Sequence, residues 1–165
     1  MHPSAPQTPF LRTGLALCAT VALLGSSVRA ENLAIVVAKS APVEGITSDE
    51  LARIFRCEET AGPGGIKWEI FSRERTSSER ETVLKVVYHM SEAQYNRFFM
   101  QAVFAGKLNE APRVIPSASA MKAIAANWPG AVTYILASQV DDSVKALRID
   151  GLLPSDPGYP LKVGE

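Results

Sequence analysis

Histidine and cysteine are nearly absent, with two of each in 165 residues, and only His89 and Cys57 lie beyond residue 30. No His-Glu-x-x-His, paired Cys-x-x-Cys, glycine-rich phosphate loop ending in Gly-Lys-Ser/Thr or Gly-x-Ser-x-Gly occurs, and without such constellations there is no visible metal site, cofactor site or nucleophile–base pair. That leans against an enzyme. His89 falls near the end of a helical pattern, where an imidazolium interacts favourably with the helix dipole. Capping or packing suits it better than catalysis. A lone cysteine cannot form an internal disulfide, so stability must come from packing, and Cys57 is expected to be buried. Charge of one sign is lacking too, with 17 basic residues against 17 acidic. Nothing argues for nucleic acid or an anionic membrane surface as partner.

The first 30 residues lack any acidic side chain. Arg12 precedes the apolar run Thr13–Leu24, Gly25-Ser26-Ser27 breaks it, and Val28-Arg29-Ala30 supplies a cleavage signature. This predicts a secretory signal peptide over 1–30, cut after Ala30. The run is too short for an uncleaved membrane anchor. Cys18 follows Leu17, where a lipoprotein signal wants a small residue, so that reading is discounted. Removing Arg12 and Arg29 leaves 15 basic residues against 17 acidic, a formal charge of −2, over residues 31–165. That length suits one domain with one core.

Leu33–Ala38 is a continuous branched apolar run, the pattern of a strand buried on both faces. Thr47-Ser48-Asp49-Glu50 is a capping box opening a short helix with Leu51, Ile54 and Phe55 on one face. Cys57–Gly65 reads as a loop in which Glu58-Glu59 is an exposed pair, and Ile66–Phe71 as a second strand. A helix is expected from about Ser77 to His89. Ser91-Glu92-Ala93-Gln94 is another box, starting a helix with Tyr95, Phe98, Phe99 and Ala102 on one face and Gly106 at its end. Tyr88 and these aromatics read as a core stripe rather than a pocket. Arg113–Ile115 is a short strand, Ser117 or Ser119 caps a helix carrying Met121, Ile124 and Ala125, and Ala131–Leu136 and Val144–Ile149 are further strands. The proline-rich tail from Leu152 is expected to be irregular. The alternation argues for an α/β or α+β sandwich with a mixed sheet flanked by helices.

The stretch Ser72–Glu81 carries the chemistry. It lies between a strand and a helix and reads Ser-Arg-Glu-Arg-Thr-Ser-Ser-Glu-Arg-Glu. Free N–H groups at a helix start, hydroxyls and arginines make such a turn an anion site. The same residues also form a plain capping box, with Thr76 as N-cap and Glu79 as its partner. Both readings stand on these residues alone.

The order of the motifs resembles the phosphate-type (PstS-like) substrate-binding proteins of ABC transporters, within the type 2 periplasmic binding proteins. Ile35–Val37 through Pro42-Val43 is similar to that family's hinge strand and the segment after it. Glu50, Leu51, Ile54 and Phe55 match its first helix motif. Arg73, Glu74, Ser77, Arg80 and Glu81 match its Arg-Glu-x-Gly-Ser-Gly-Thr-Arg-Glu anion loop. Phe104, Gly106, Pro112, Ser117 and Met121 keep its spacing, and Pro129–Tyr134 resembles its Pro-Gly-Ala-Ile-Gly-Tyr. The resemblance implies one lobe of a type 2 binding protein over residues 31–165, in the periplasm. A small oxyanion such as phosphate would be held at Arg73, Ser77, Ser78 and Arg80, with Ser77 donating and an arginine supplying charge or holding the loop. A membrane transporter or sensor, or a second copy closing the site, would be the partner.

Several positions depart from the family. Thr76 and Ser78 stand where it has glycines, Glu79 where it has threonine, Thr133 replaces a glycine, and Cys57, two residues after Ile54-Phe55, stands where the family tends to have glycine. A carboxylate at 79 competes with a phosphate for the same dipole. The length is that of one lobe, which leaves a ligand half exposed. These departures motivate the alternative of an interaction or accessory module that has lost its ligand.

Overall fold

The computed structural model describes residues 31–164; the signal peptide expected over 1–30 lies outside them. Among the described residues there are eight strands and four α-helices, the helices interspersed with the strands. Strand β1 (Glu31–Ala38) is followed by β2 (Gly45–Ile46), α1 (Ser48–Phe55), β3 (Glu69–Arg73) and α2 (Ser78–Val83). Then come α3 (Glu92–Phe104), β4 (Arg113–Ile115), α4 (Ala118–Asn127), β5 (Ala131–Leu136), β6 (Val144–Ala146), β7 (Arg148–Ile149) and β8 (Lys162–Val163). The main sheet runs β4-β3-β5-β1-β6, with β8 added beside the start of β1, while β2 and β7 form a separate pair. β3 is parallel to β4 and β5; β1 is antiparallel to β5, β6 and β8. The expected mixed α/β sheet is present.

β1 is the floor of the core. Leu33 through Val37 are fully buried, as a strand covered on both faces requires. Alternation along β5 assigns the two faces. Thr133 points to α4, its hydroxyl donating to Met121 Sδ at 3.1 Å. Tyr134 points the other way, its ring 6.2 Å from that of Phe55 in α1. The aromatics expected as a core stripe, Tyr88, Tyr95 and Phe99, pack there edge to face or tilted, 4.6–6.1 Å apart, and Phe98 adds to their rim.

The expected capping boxes at Thr47/Glu50 and Ser91/Gln94 form with both reciprocal bonds. Ser117 rather than Ser119 caps α4. Pro129-Gly130 leads into β5 past Lys67, whose carbonyl oxygen would lie 2.2 Å from any Cβ at position 130. Only glycine permits that approach.

Four expectations need correction. β3 begins at Glu69 rather than Ile66, because the 60–68 segment closes on itself through Gly62 N to Ile66 O and Trp68 N to Thr60 O. It also runs on to Arg73, which buries Ser72 and Arg73. The helix expected to reach His89 is α-helical only to Val83; Leu84–Tyr88 continues as a π-helical turn, and His89 ends it in the left-handed region at φ 53°. The strand expected over 144–149 breaks at Leu147, whose N–H turns to Ile35 O at 2.9 Å, so that β6 pairs with β1 and β7 with β2. The tail is irregular up to Leu161, as expected, but it is no mere extension: Tyr159 and Leu161 are each 1% exposed, and Lys162–Val163 pairs with Glu31–Asn32.

Candidate functional site

The turn between β3 and α2 sits where β3 and β4, two parallel strands, end together, and Arg73 Nη1 bridges them by donating to Ile115 O at 3.4 Å. In α/β sheets this edge is where ligands bind, because helix N-termini face outward there. The end of β3 is fixed from beneath. Arg73 N–H donates to Tyr134 Oη at 2.9 Å, and that phenol shares a 3.0 Å hydrogen bond with Ser72 Oγ. Burial raises the Tyr134 pKa, with Ser72 and the Arg73 N–H pulling against it, so the phenol stays neutral.

The capping residue differs from the sequence expectation. Ser77, not Thr76, is the N-cap: its Oγ accepts from Arg80 N at 3.2 Å. The one-residue shift follows from the β3 extension and a tight turn closed by Ser77 N to Glu74 O at 3.2 Å. Thr76 is exposed, and Glu79 becomes the second residue of the helix, not the reciprocal partner of a box.

Each expected ligand residue now has a place. Arg80 is 3% exposed and points inward. Its Nε and Nη2 hold the Glu92 carboxylate at 2.9 and 3.0 Å, its Nη1 donates to Ser72 Oγ and to Arg73 O, and its guanidinium lies 4.6 Å from the centre of the Tyr95 ring. Burial works against its charge, but the Glu92 hydrogen bonds and the surrounding field carry its pKa above the ordinary value. Arg80 therefore holds the turn together. Arg73 is 9% exposed and faces Glu79, which is 8% exposed, with Nε 3.7 Å from Oε1. That Nε is buried and makes no hydrogen bond. Ser78 directs its hydroxyl to Glu79 Oε2 at 3.4 Å. Arg73, Ser78 and Glu79 thus converge, Ser77 caps, and Arg80 lies behind them.

Glu92 is the main participant that sequence reasoning missed. Its capping box placed it at a helix start, but nothing in the spacing showed that α3 folds back onto the turn. Its carboxyl pKa is lowered by the Arg80 hydrogen bonds, with burial opposing and Arg75, 3.2 Å away, assisting.

A small concavity of about 180 Å³ lies beside the turn, lined by Ser78, Glu81, Thr82, Lys85 and Gly164; larger ones lie away from it. One of about 440 Å³ runs between Cys57–Ile70 and Lys107–Arg113, and mixes Lys67, Lys107 and Arg113 with Glu69 and Glu110. A second of about 390 Å³ adjoins it along α3, sharing Cys57, Lys107 and Leu108. Among the described residues no group of three or more His, Cys, Asp or Glu could hold a metal ion.

The fold, a mixed sheet flanked by helices, is similar to that of about half of several solved substrate-binding proteins. A phosphate-bound putative phosphate ABC transporter substrate-binding protein from Clostridium perfringens is similar at TM-score 0.60 and 23% identity, over 74% of this chain and 46% of that one. An ABC-type phosphate transport receptor from Vibrio cholerae is similar at TM-score 0.64 and 24% identity, over 81% of this chain and 54% of that one. PstS from Borrelia burgdorferi matches at TM-score 0.62 and 16% identity, over 81% and 55%. The chain thus spans about half the length of these structures and shares the fold of that half. No family model matches it.

Proposed function

We propose that this chain is an exported, single-lobe substrate-binding-protein-like domain. Its working face is the Arg73–Glu79 turn, and its ligand is a small oxyanion such as phosphate, or an acidic group on a partner, in the service of transport or sensing. The observation that carries this reading is that the turn already holds an oxyanion of its own: the Glu79 carboxylate lies against Arg73 and the Ser78 hydroxyl at the carboxyl edge of two parallel strands. One lobe covers one side of a ligand, so affinity is expected to be weak unless a transporter, a sensor or a second copy closes the other side. Isothermal titration with phosphate and sulfate tests the reading, and absence of binding up to millimolar anion sinks the solute-binding form. Export is checked by N-terminal sequencing of protein from the periplasmic fraction, where Glu31 should be the first residue.

A second reading is a periplasmic accessory module that keeps the lobe and no longer binds a free ligand. The consumption of Arg80 and Ser77 by internal bonds favours it. A pull-down from periplasmic extract discriminates: recovery of a specific partner by a protein that binds no anion supports this form, and a partnerless anion binder rejects it.

A further inference from the structure

We infer that Glu79 is a tethered stand-in for the ligand: its carboxylate occupies the anion position of the turn, and an external phosphate or carboxylate enters by displacing it. This rests on the oxyanion reading above and adds its regulation.

Glu79 is not needed to start the helix. Where the chain builds a reciprocal cap, the acidic or amide side chain returns to the N-cap N–H, as Glu50 does to Thr47 N at 2.8 Å and Gln94 to Ser91 N at 2.8 Å. At α2 the Ser77 N–H is instead taken by Glu74 O, and Ser77 Oγ alone caps. Other carboxylates in first helical turns, Asp49, Glu50, Glu81 and Glu92, are exposed or half-buried, whereas Glu79 is 8% exposed. A carboxylate goes under the surface only against a compensating charge, and that charge is Arg73.

The fit between the two is loose. Oε1 stops 3.7 Å from Arg73 Nε, beyond hydrogen-bond reach, and Nε is left buried without a partner. The Arg73 guanidinium has a second anchor away from Glu79, its Nη1 donating to Ile115 O at 3.4 Å. Glu79 is held only by the 3.4 Å Ser78 contact and the loose Arg73 pair, so it is the member that gives way. A tetrahedral oxyanion, free of that tether, can satisfy Nε and the Ser78 hydroxyl together. Against it stands a tethered carboxylate whose local concentration is of millimolar order or more, so the native turn is selective against dilute anions.

Phosphate titration of the full chain, its Glu79→Gln variant and its Glu79→Thr variant at matched ionic strength tests this. Glu79→Gln is expected to bind phosphate at least tenfold more tightly than the native chain, and phosphate should raise its Tm by more than it raises the native Tm. If the native chain binds phosphate and Glu79→Gln binds no more tightly, the stand-in is overturned while the oxyanion reading survives. If none of the three binds, with circular dichroism showing all folded, both are overturned. Should neutral variants fail to fold, Glu79→Asp keeps the charge and withdraws it by one methylene; phosphate affinity unchanged from native then overturns the stand-in.

Discussion

Arg80 and Glu92, twelve residues apart, meet as a fork on a fork, Nε to Oε2 at 2.9 Å and Nη2 to Oε1 at 3.0 Å. The pair joins the first turn of α2 to the first residue of α3, and Nη1 adds the end of β3 through Ser72 and Arg73. One buried guanidinium therefore sets the position of three elements around the turn.

Arg80→Ala should destabilise the domain by about 2–3 kcal/mol, because the guanidinium is buried and its bonds are charged, while the Glu92 carboxylate left behind is partly exposed and regains water. Arg80→Lys should recover only part of that, since an ammonium lacks the planar fork and stacks less well on Tyr95. Urea midpoints for the two variants check this, and a loss under about 1 kcal/mol for Arg80→Ala would show that the pair is redundant.

The same pair gives a pH dependence. The folded Glu92 pKa lies below the ordinary 4.5 because Arg80 hydrogen-bonds its ionised form. A carboxyl with a depressed folded pKa contributes stability that is fully present above the unfolded value and is lost as pH falls through the folded one. Glu50 and Asp150, held down by hydrogen bonds from the Thr47 cap and from Ser48 at the first position of α1, act in the same direction. Stability should therefore decline below about pH 4.5. Glu92→Gln should be less stable at neutral pH and show a shallower acid decline, measured as Tm against pH; an unchanged slope would assign the acid loss elsewhere.

Cys57 closes α1 in the left-handed region at φ 58°, its N–H on Ile54 O at 2.9 Å. Its side chain is half-buried rather than in the core as expected, and burial raises its thiol pKa. The glycine usual at this point in the resembling family is what the backbone prefers, because a Cβ is strained there by roughly 1–2 kcal/mol. Cys57→Gly should thus stay within about 1 kcal/mol of native stability, while Cys57→Val, β-branched at positive φ, should lose about 2 kcal/mol or more. Thermal unfolding of the two variants gives the order; Val tolerated as well as Gly would refute the strain.

The fold was legible wherever local chemistry and periodicity agreed. The capping boxes at Thr47 and Ser91, the run Leu33–Ala38 and the strand Arg113–Ile115 are all set by residues within a few positions of each other. Elements whose limits depend on distant partners were less legible. β3 ends where Tyr134, 61 residues on, still finds the Arg73 N–H, and that extension moved the cap from Thr76 to Ser77. The candidate site was legible as a cluster but not in its directions. Arg73 and Arg80 read alike in sequence, yet Arg80 turns inward because Glu92 and Tyr95 arrive from α3, whereas Arg73 faces Glu79. No local pattern distinguishes the two.

The tail supplies a test of how far the core extends. Tyr159 and Leu161, two residues apart, are each 1% exposed, and Leu161 O accepts from Leu33 N at 2.8 Å. Lys162–Val163 then lies antiparallel to Glu31–Asn32. The prolines that make this segment look irregular occupy positions 154, 157 and 160, outside the β8 ladder, where a missing N–H does not interrupt pairing. Leu161→Ala should therefore destabilise by about 2–5 kcal/mol, as for a leucine deep in a core. Lys162→Ala, in a half-buried position on the same strand, should lose much less. Because β8 also packs against α2, Leu161→Ala should speed amide exchange at Ser78–Val83 as well as in the tail. Exchange faster in the tail alone would mean that the segment is an appendage to the lobe rather than a support of its candidate site.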